Sequence, residues 1–269
     1  MCNSFSRRFF GAMALAVVGW GVLAGASSTA LAADPGVPSA IATRGTLVIG
    51  VEGTYPPFNY QDESGHLVGF EIDFAKALTA KLGLKPDFKP TKWDGMLAAL
   101  TDGRLDVVIN QVTITPARQK IFDFSVPYTI SGSQIITLKS NVKKFDTPEK
   151  LAHARVGVGL GTNYEQWLHT HVPTAEVRTY DDDPSKYQDL RAGRIDAALN
   201  DRLVAADFIK KSGGPFAPAG APFDQQESGV ALRKNAGFKA AIDKAIEALR
   251  ADGTLTKISV KWFGIDVTH

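Results

Sequence analysis

Cysteine is almost absent from this chain, since Cys2 is the only one among its 269 residues. A single cysteine cannot form an internal disulfide, and it cannot supply a cysteine-ligated zinc site. The protein must therefore be stabilised by a hydrophobic core, and its length suffices for one large domain or two of ordinary size.

An excess of charge of either sign is also lacking. The chain has 30 Lys and Arg against 28 Asp and Glu, for a net charge of +2. Arg7 and Arg8 account for this small excess, and both lie in the N-terminal segment. A protein that binds nucleic acid usually carries a clear basic excess, so we expect no nucleic-acid partner.

The N-terminal segment has the pattern of a secretory signal peptide. Arg7 and Arg8 precede an apolar stretch at residues 9–26, and Ala30-Leu-Ala32 matches an A-x-A cleavage site. We therefore interpret residues 1–32 as a signal peptide cleaved near Ala32, which predicts export. A membrane anchor is the alternative, because about 18 apolar residues can span a bilayer. The surroundings of the two arginines also resemble a twin-arginine signal, so the Sec and twin-arginine routes both stay open.

Apolar runs alternate with helical patterns through the rest of the chain, which predicts an α/β fold with parallel strands and helices on the sheet faces. The segment at residues 54–58 is interpreted as a loop, because its two prolines exclude regular pairing. The predicted strands are residues 46–51, 84–88, 105–109, 155–159, 176–179 and 195–199. The predicted helices are residues 69–82, 93–101, 161–168, 184–192, 203–211, 238–249 and 255–262.

Two stretches of similar sequence indicate two similar lobes. The first is Asp102-Gly-Arg-Leu-Asp-Val-Val108, and it is echoed by Arg191-Ala-Gly-Arg-Ile-Asp-Ala-Ala198. Residues 133–138 leave the first lobe and residues 227–232 return to it, so we expect a hinge of two connecting strands.

This organisation predicts a discontinuous first lobe, residues 33–137 and 229–269, and a second lobe, residues 138–228. Ligand sites in open α/β sheets lie beyond the carboxyl ends of the strands. With two facing lobes the ligand site is therefore expected in the interlobe cleft, which closes around the ligand.

One stretch after a predicted strand indicates a seat for a small carboxylate. It contains Thr113 and Thr115 shortly before Arg118. Arginine binds a carboxylate through two parallel N–H···O bonds, and the hydroxyls add further donors. The alternative is a turn with a surface arginine.

Three other patterns predict ordinary structure. His169 and His171 could chelate a metal from one face of a strand, but they follow a predicted helix, so we interpret them as loop residues. The run at residues 181–183 lacks the Gly and Glu of a calcium loop and is interpreted as a turn and helix cap. No motif places a histidine beside Ser125, so we expect no catalytic residue. Because neither the histidines nor the acidic run forms a metal-binding pattern, we also expect no metal, and we expect no cofactor.

Four motifs in chain order resemble those of the family 3 extracellular solute-binding proteins, which serve ABC importers of polar amino acids. The motifs are Val51-Glu-Gly-Thr-Tyr-Pro-Pro-Phe58, Gly69-Phe-Glu-Ile-Asp-Phe74, Asn110-Gln-Val-Thr-Ile-Thr-Pro-Ala-Arg118 and Phe122-Asp-Phe-Ser-Val-Pro-Tyr128. The resemblance covers residues 45–265. It implies a periplasmic binding protein-like fold and a periplasmic monomer that passes an amino acid to a membrane permease without catalysing a reaction.

Within that family the chain is similar to the cystine-binding proteins. The similarity rests on Gln111, where relatives selective for other amino acids commonly have glycine, and on Lys92-Trp-Asp-Gly95 and Leu160-Gly-Thr-Asn-Tyr164. The resemblance implies L-cystine as the ligand, with another polar or basic amino acid as the alternative.

The resemblance also implies roles for individual residues at the amino-acid end of the ligand. Arg118 would bind the α-carboxylate together with Thr113. The helix N-terminus at Gly161, Thr162 and Asn163 would add backbone N–H donors and the positive end of a helix dipole. A plain helix cap is the structural alternative for this turn.

The remaining expected contacts lie elsewhere in the cleft. Asp201 would accept from the α-ammonium, and its structural alternative is a helix cap. Tyr55, Phe58 and Trp93 would line the ligand side chain, although Phe58 could be a core residue. Glu52 and Gln111 would reach the distal end of the ligand, with structural pairing as the alternative for both.

An enzyme is the competing class. Exported cyclohexadienyl dehydratases resemble this chain in the Tyr-Pro-Pro-Phe and Thr-x-x-x-x-Arg regions. In such an enzyme Glu52 or Asp201 would act as the general acid in the loss of water.

Overall fold

The computed structural model of the chain describes residue 34 and residues 36–234 and 236–269. The predicted signal peptide, residues 1–32, lies outside the described residues. Within the described part of the chain, no helix is both long and apolar enough to cross a membrane.

The described residues form a mixed α/β structure, as expected. The helices are α1 Ser39–Arg44, α2 Phe70–Lys81, α3 Trp93–Thr101, α4 Pro116–Gln119, α5 Asn163–His171, α6 Asp183–Arg191, α7 Arg202–Ser212, α8 Lys239–Ala251 and α9 Thr254–Phe263. Two 3-10 turns cover Lys139–Lys144 and Pro148–Leu151. The strands are β1 Thr46–Val51, β2 Thr54–Tyr55, β3 Asn59–Gln61, β4 Leu67–Val68, β5 Lys85–Pro90, β6 Val107–Val108, β7 Phe122–Phe124, β8 Thr129–Leu138, β9 Arg155–Gly159, β10 Glu176–Tyr180, β11 Ala197–Asp201, β12 Phe216–Ser228 and β13 Ala231–Arg233.

The first lobe contains a sheet in the order β5-β1-β6-β13-β7. Strand β1 lies parallel to β5 and β6, while β13 runs antiparallel between β6 and β7. The sheet therefore combines strands from two separate stretches of the chain.

The second lobe contains a sheet in the order β10-β9-β11-β8-β12. Strands β8 and β12 pair antiparallel from Thr129 opposite Ser228 to Leu138 opposite Phe216, with register shifts between Ala219 and Gln225. The predicted lobe boundaries at 137/138 and 228/229 stay a prediction. Since β8 pairs along its length with the second sheet, we propose that the first crossing lies near residue 128.

The segment predicted as a loop at residues 54–58 is partly a strand. Thr54 and Tyr55 form β2, which pairs with β3 in a small antiparallel sheet that β4 completes. The two prolines follow β2 instead of interrupting it, so the pairing of these two residues is unaffected.

The core of the first lobe explains why β1 reads as a continuous apolar run. Leu47, Ile49 and Val51 are fully buried because helices cover the sheet. Helix α2 contacts α8 and α9, and its Phe70 and Phe74 lie in the same hydrophobic cluster as these three residues. Burial of each such side chain stabilises the fold by about 1.5–3 kcal/mol.

The loop prediction for the two histidines is wrong. His169 and His171 form the last turn of α5, which extends beyond the predicted helix. The Trp167 ring stacks on the His171 ring with 4.5 Å between centroids. This (i, i+4) contact supports the additional helical turn.

The acidic run at residues 181–183 is a helix cap, as predicted. Asp182 Oδ1 accepts a hydrogen bond from the Ser185 backbone N–H at 2.8 Å, and Asp183 is the first residue of α6.

Candidate functional site

Two neighbouring spaces lie between the lobes beyond the ends of β1, β6, β9 and β11. The smaller has a volume of about 60 Å³ and is lined by Glu52, Tyr55, Trp93, Asp94, Asn110, Gln111, Gly159, Leu160, Thr162, Asn163, Tyr164, Tyr180, Asp181, Asp182, Asp183, Lys186 and Asn200. The larger, of about 660 Å³, is lined by residues that include Thr113, Arg118 and Gly161. Thr162 and Asn163 line both spaces. Most residues predicted from the sequence to form the site therefore meet here.

Arg118 is a cation without an acidic partner among the described residues. Its backbone N–H donates to Thr115 Oγ1 at 3.2 Å, and this cap begins the short helix α4. One guanidinium nitrogen donates to the Thr113 carbonyl oxygen at 3.1 Å, and the guanidinium carbon lies 5.3 Å from the centre of the Trp93 ring. Burial lowers the pKa of Arg118 to about 10, which still leaves it protonated at neutral pH. The arrangement holds an uncompensated positive charge in the cleft.

The second lobe presents the N-terminus of α5 to this charge. Thr162 Oγ1 accepts from the Glu165 backbone N–H at 3.3 Å, and Glu165 Oε2 accepts from the Gly161 backbone N–H at 2.7 Å. This is a reciprocal capping arrangement. It occupies the Gly161 N–H, and the Thr162 N–H donates to the Gly159 carbonyl oxygen at 3.3 Å, so the Asn163 N–H is the donor of this turn that faces the space without a partner among the described residues. Thr113 Oγ1 donates to Asn163 Oδ1 at 3.3 Å and joins the lobes next to the site.

Of the three aromatic residues predicted to line the ligand side chain, Tyr55 and Trp93 line the small space and Phe58 does not. Tyr55 lines the small space, and its hydroxyl donates to Asn200 Oδ1 of the second lobe at 2.9 Å. Phe58 lines neither space, and its side chain is fully buried. The centre of its ring lies 5.8 Å from that of Tyr55, on which it stacks, and 5.2 Å from that of Phe263. Phe58 therefore occupies the core position that was its structural alternative, and its contact with a ligand stays a prediction.

Gln111 adopts a left-handed backbone conformation, with φ of 47°. Its backbone N–H donates to Glu71 Oε1 at 2.6 Å, and its Nε2 donates to Thr129 Oγ1 at 3.0 Å. The side chain thus lines the small space while bonding to the start of β8. The hydrogen bonds of Gln111 to Glu71 and Thr129 are the structural pairing that was its alternative. Its contact with the distal end of a ligand stays a prediction.

Glu71 lies behind the first-lobe wall of the small space and accepts hydrogen bonds from residues of that wall and its surroundings. No role was assigned to it from the sequence. It is fully buried and accepts hydrogen bonds from Asn59 Nδ2 at 2.6 Å, from the Tyr128 hydroxyl and from Gln111. Burial raises its pKa, and no cation pairs with it among the described residues. Asn59 Nδ2 also donates to Asn110 Oδ1 at 2.9 Å, so the ends of β3 and β6 are tied to one carboxyl group.

Asp201 lies behind the site rather than on its surface. It is 3% exposed and caps α7 by accepting from the Leu203 backbone N–H at 2.7 Å. Burial raises its pKa. Its charge also helps to raise the pKa of Tyr55 and Tyr164, which places the carboxylate near both rings. The helix cap that was the structural alternative for Asp201 is therefore present, and the contact of Asp201 with an ammonium stays a prediction.

Charged groups of both lobes meet at the far end of the small space. Glu52 comes from the first lobe, and Asp183 and Lys186 come from α6 of the second. Burial, and then the nearby charge of Asp183, raise the pKa of Glu52 to about 7. The sequence signalled Glu52 by its position after a strand, but it gave no signal for Lys186.

Comparison with known proteins agrees with this geometry. The sequence profile of the bacterial extracellular solute-binding proteins, family 3, matches residues 47–265. The L-cystine-binding protein TcyJ of Escherichia coli is 53% identical over 97% of each chain. The L-cystine-binding protein TcyA of Bacillus subtilis is 35% identical over 88% of each chain.

Solved structures show the same fold. An ancestral arginine-binding protein bound to glutamine is 42% identical with a TM-score of 0.78, covering 82% of this chain and 99% of its own. The ancestral amino acid-binding protein AncCDT-1, a precursor of cyclohexadienyl dehydratase, is 37% identical with a TM-score of 0.78, covering 83% of this chain and 98% of its own.

Proposed function

We propose that this chain, which belongs to the family 3 bacterial extracellular solute-binding proteins, captures L-cystine and delivers it to the permease of an ABC importer. The ligand assignment is supported by the 53% identity to a protein named for L-cystine binding. The family supports the transport role.

The observation that carries this proposal is the uncompensated Arg118 guanidinium in the cleft. A half-buried cation held by Thr113 and the Trp93 ring requires an anion, and the α-carboxylate of an amino acid provides one with matching bidentate geometry. The α5 N-terminus faces the same space and favours the same anion.

The capture mechanism follows from which lobe holds each group. The first lobe binds the carboxylate through Arg118, while the α-ammonium is assigned to Asp201 of the second lobe. A ligand that contacts both lobes binds the closed arrangement better than the open one, so it shifts the population toward closure. The closed protein then docks on the permease.

The location and assembly of the protein are part of the proposal. Residues 1–32 act as a cleaved signal that sends the chain to the periplasm by the Sec or twin-arginine route. The mature protein works as a monomer that carries the ligand unchanged.

A ligand screen on the mature protein tests the proposal. We expect L-cystine, among the common amino acids, to raise the melting temperature most. Ligand at about 100 times its Kd adds roughly 2.7 kcal/mol of stability. Calorimetry then supplies the Kd. A response to arginine or glutamine with none to cystine would keep the transport role and refute the ligand.

One observation supports a second candidate function. Glu52, with a pKa raised to about 7, is suited to act as a general acid in the cleft. A dehydratase of the cyclohexadienyl class would consume prephenate or arogenate, whereas a binding protein returns its ligand intact. Product analysis by chromatography separates the two, and we expect no turnover.

A further inference from the structure

Lys186 is a buried charged residue on the wall of the small space. It is 1% exposed, and its Nζ forms an ion pair with Asp183 Oδ1 at 2.6 Å. This is the one hydrogen bond that Nζ makes to the described residues. An ammonium has three N–H donors, so two donors are left for a group in the cavity. Lysine is almost never fully buried unless it is paired, and the pairing with Asp183 meets that condition. Because Lys186 also lines the small space, its remaining donors make it a candidate for ligand contact.

The fold makes room for this lysine at a glycine. Gly157 lies in the middle of β9, and a Cβ atom there would come within 2.5 Å of Ile195 Cδ1 and 3.0 Å of Lys186 Cγ. The aliphatic part of Lys186 therefore crosses β9 where no side chain opposes it. The Nζ then lies 5.1 Å from the centre of the Tyr187 ring, on the cavity side of α6.

The acidic groups around Lys186 are positioned as well. Asp183 Oδ2 accepts from Asn200 Nδ2 at 2.6 Å, and the same Asn200 accepts from the Tyr55 hydroxyl of the other lobe. Glu52 lines the cavity from the first lobe, close enough for the charges of Asp183 and Lys186 to act on its ionisation. The small space is lined by the Lys186 ammonium and by the carboxyl groups of Glu52, Asp94, Asp181, Asp182 and Asp183, so it is able to accept a further cation.

We infer that Lys186, Asp183 and Glu52 form a second position in the cleft, which holds the distal amino-acid end of the ligand. Lys186 donates to the distal carboxylate, and Glu52 and Asp183 accept from the distal ammonium. The inference rests on the proposed function and narrows its ligand class to amino acids with a second zwitterionic end. The position is shared between the lobes, since Glu52 follows β1 and the other two residues lie in α6.

Ligand analogues test this inference on the unaltered mature protein. The mixed disulfide of cysteine with cysteamine lacks the distal carboxylate, and that with 3-mercaptopropionate lacks the distal ammonium. Calorimetry should show each binding about 10- to 100-fold more weakly than L-cystine, as expected when a charged hydrogen-bonding partner is lost. Affinities equal to that of L-cystine would overturn the inference.

A variant assigns the carboxylate contact to Lys186. In Lys186→Met we expect L-cystine to bind about 10- to 100-fold more weakly, with the cysteamine disulfide unchanged. Lys150→Met is the matched control, because Lys150 forms an ion pair of the same 2.6 Å length with Asp146 on the exposed surface of the second lobe. The control should alter neither affinity.

The outcomes separate this inference from the proposed function. If Lys186→Met weakens both ligands equally, its ion pair with Asp183 is structural and the inference is wrong, while cystine transport stands. If the unaltered protein binds another amino acid and no L-cystine, the ligand assignment and the second position both fail. If Lys186→Met does not fold, as judged by its melting curve, the analogue series on the unaltered protein still decides.

Discussion

The Tyr55 hydroxyl donates a 2.9 Å hydrogen bond to Asn200 Oδ1, and this bond joins the two lobes at the wall of the small cavity. Asn200 is nearly fully buried, and its Nδ2 is bonded to both Asp183 and the Tyr187 hydroxyl. The contact therefore connects the aromatic wall of the first lobe to the polar groups of the second. It stabilises the arrangement in which the lobes meet.

Tyr55→Phe should weaken ligand binding modestly. The change removes the interlobe hydrogen bond but keeps the ring that stacks on Phe58, so we expect a loss of about 0.5–1.5 kcal/mol, or roughly 2- to 12-fold in Kd. Calorimetry measures the affinity, and Tyr60→Phe, outside the cavity lining, serves as the control. An unchanged Kd would show that the bond contributes nothing to closure.

Arg118→Ala should cost far more, about 2–5 kcal/mol of binding free energy, because it leaves a ligand carboxylate unpaired in the cleft. Arg118→Lys keeps the charge but loses the bidentate geometry and the planar contact with Trp93, so its affinity should lie in between. Titration calorimetry with L-cystine gives all three values. Retention of the original affinity in Arg118→Ala would reject the carboxylate assignment.

Asp201→Asn separates charge from capping. An asparagine can still accept from the Leu203 backbone N–H, so the melting temperature of the ligand-free protein should change little. Ligand affinity should fall by about 2 kcal/mol or more if the carboxylate pairs with the α-ammonium. Measured together, a normal melting temperature and a normal Kd would move the ammonium contact away from Asp201.

The ionisation of Glu52 should make stability depend on pH. Its pKa is about 7 in the folded protein against 4.5 for the reference carboxyl, so the folded state binds more protons between these values. Its contribution to stability is then present below about pH 4.5 and is lost as the pH rises to 7, by up to roughly 3 kcal/mol. Denaturant unfolding of the ligand-free protein across this window measures the effect. Glu52→Gln should reduce the slope, and identical slopes would show that the group does not titrate there.

Gly157→Ala should destabilise the second lobe by about 1–3 kcal/mol, because the new methyl group collides with Ile195 and the Lys186 stem. Gly95→Ala is the matched control: it lies in α3 with no atom within 4 Å of the added Cβ, and it should stabilise the protein by roughly 0.5–1 kcal/mol. Chemical denaturation measures both. Equal effects of the two substitutions would mean that the space above β9 is not tight.

Local patterns predicted the parts of the fold that depend on local sequence. Strand β1 and helix α2 were predicted because their apolar residues are closely spaced and bounded by turn signals. Strand β12 was missed because it contains Pro218 and Pro222 and has no clear alternation. Its strand form depends on pairing with β8, whose partner residues lie 78 to 99 positions away along the chain, from Leu138 opposite Phe216 to Thr129 opposite Ser228.

The site residues also divide into those that a local motif predicts and those that depend on distant parts of the chain. Arg118 and Thr113 belong to one short motif, and the structure brings them together as that motif predicts. Phe58 belongs to a motif too, but the path of the chain after β2 turned it into the core. Lys186 reaches the cavity because Gly157 yields space on a neighbouring strand, and no pattern within α6 carries that information.

The buried carboxyl group of Glu71 has a consequence for how this half of the cleft meets a ligand. It accepts hydrogen bonds from the backbone N–H of Gln111, which has a left-handed conformation, and from Asn59 and the Tyr128 hydroxyl. Of these residues Gln111 lines the small space, while Glu71, Asn59 and Tyr128 lie behind it. The first-lobe wall is thus preorganised, and little conformational entropy is lost there on binding. Exchange of side chains on this wall can change which amino acid is accepted, while the backbone that displays them stays the same.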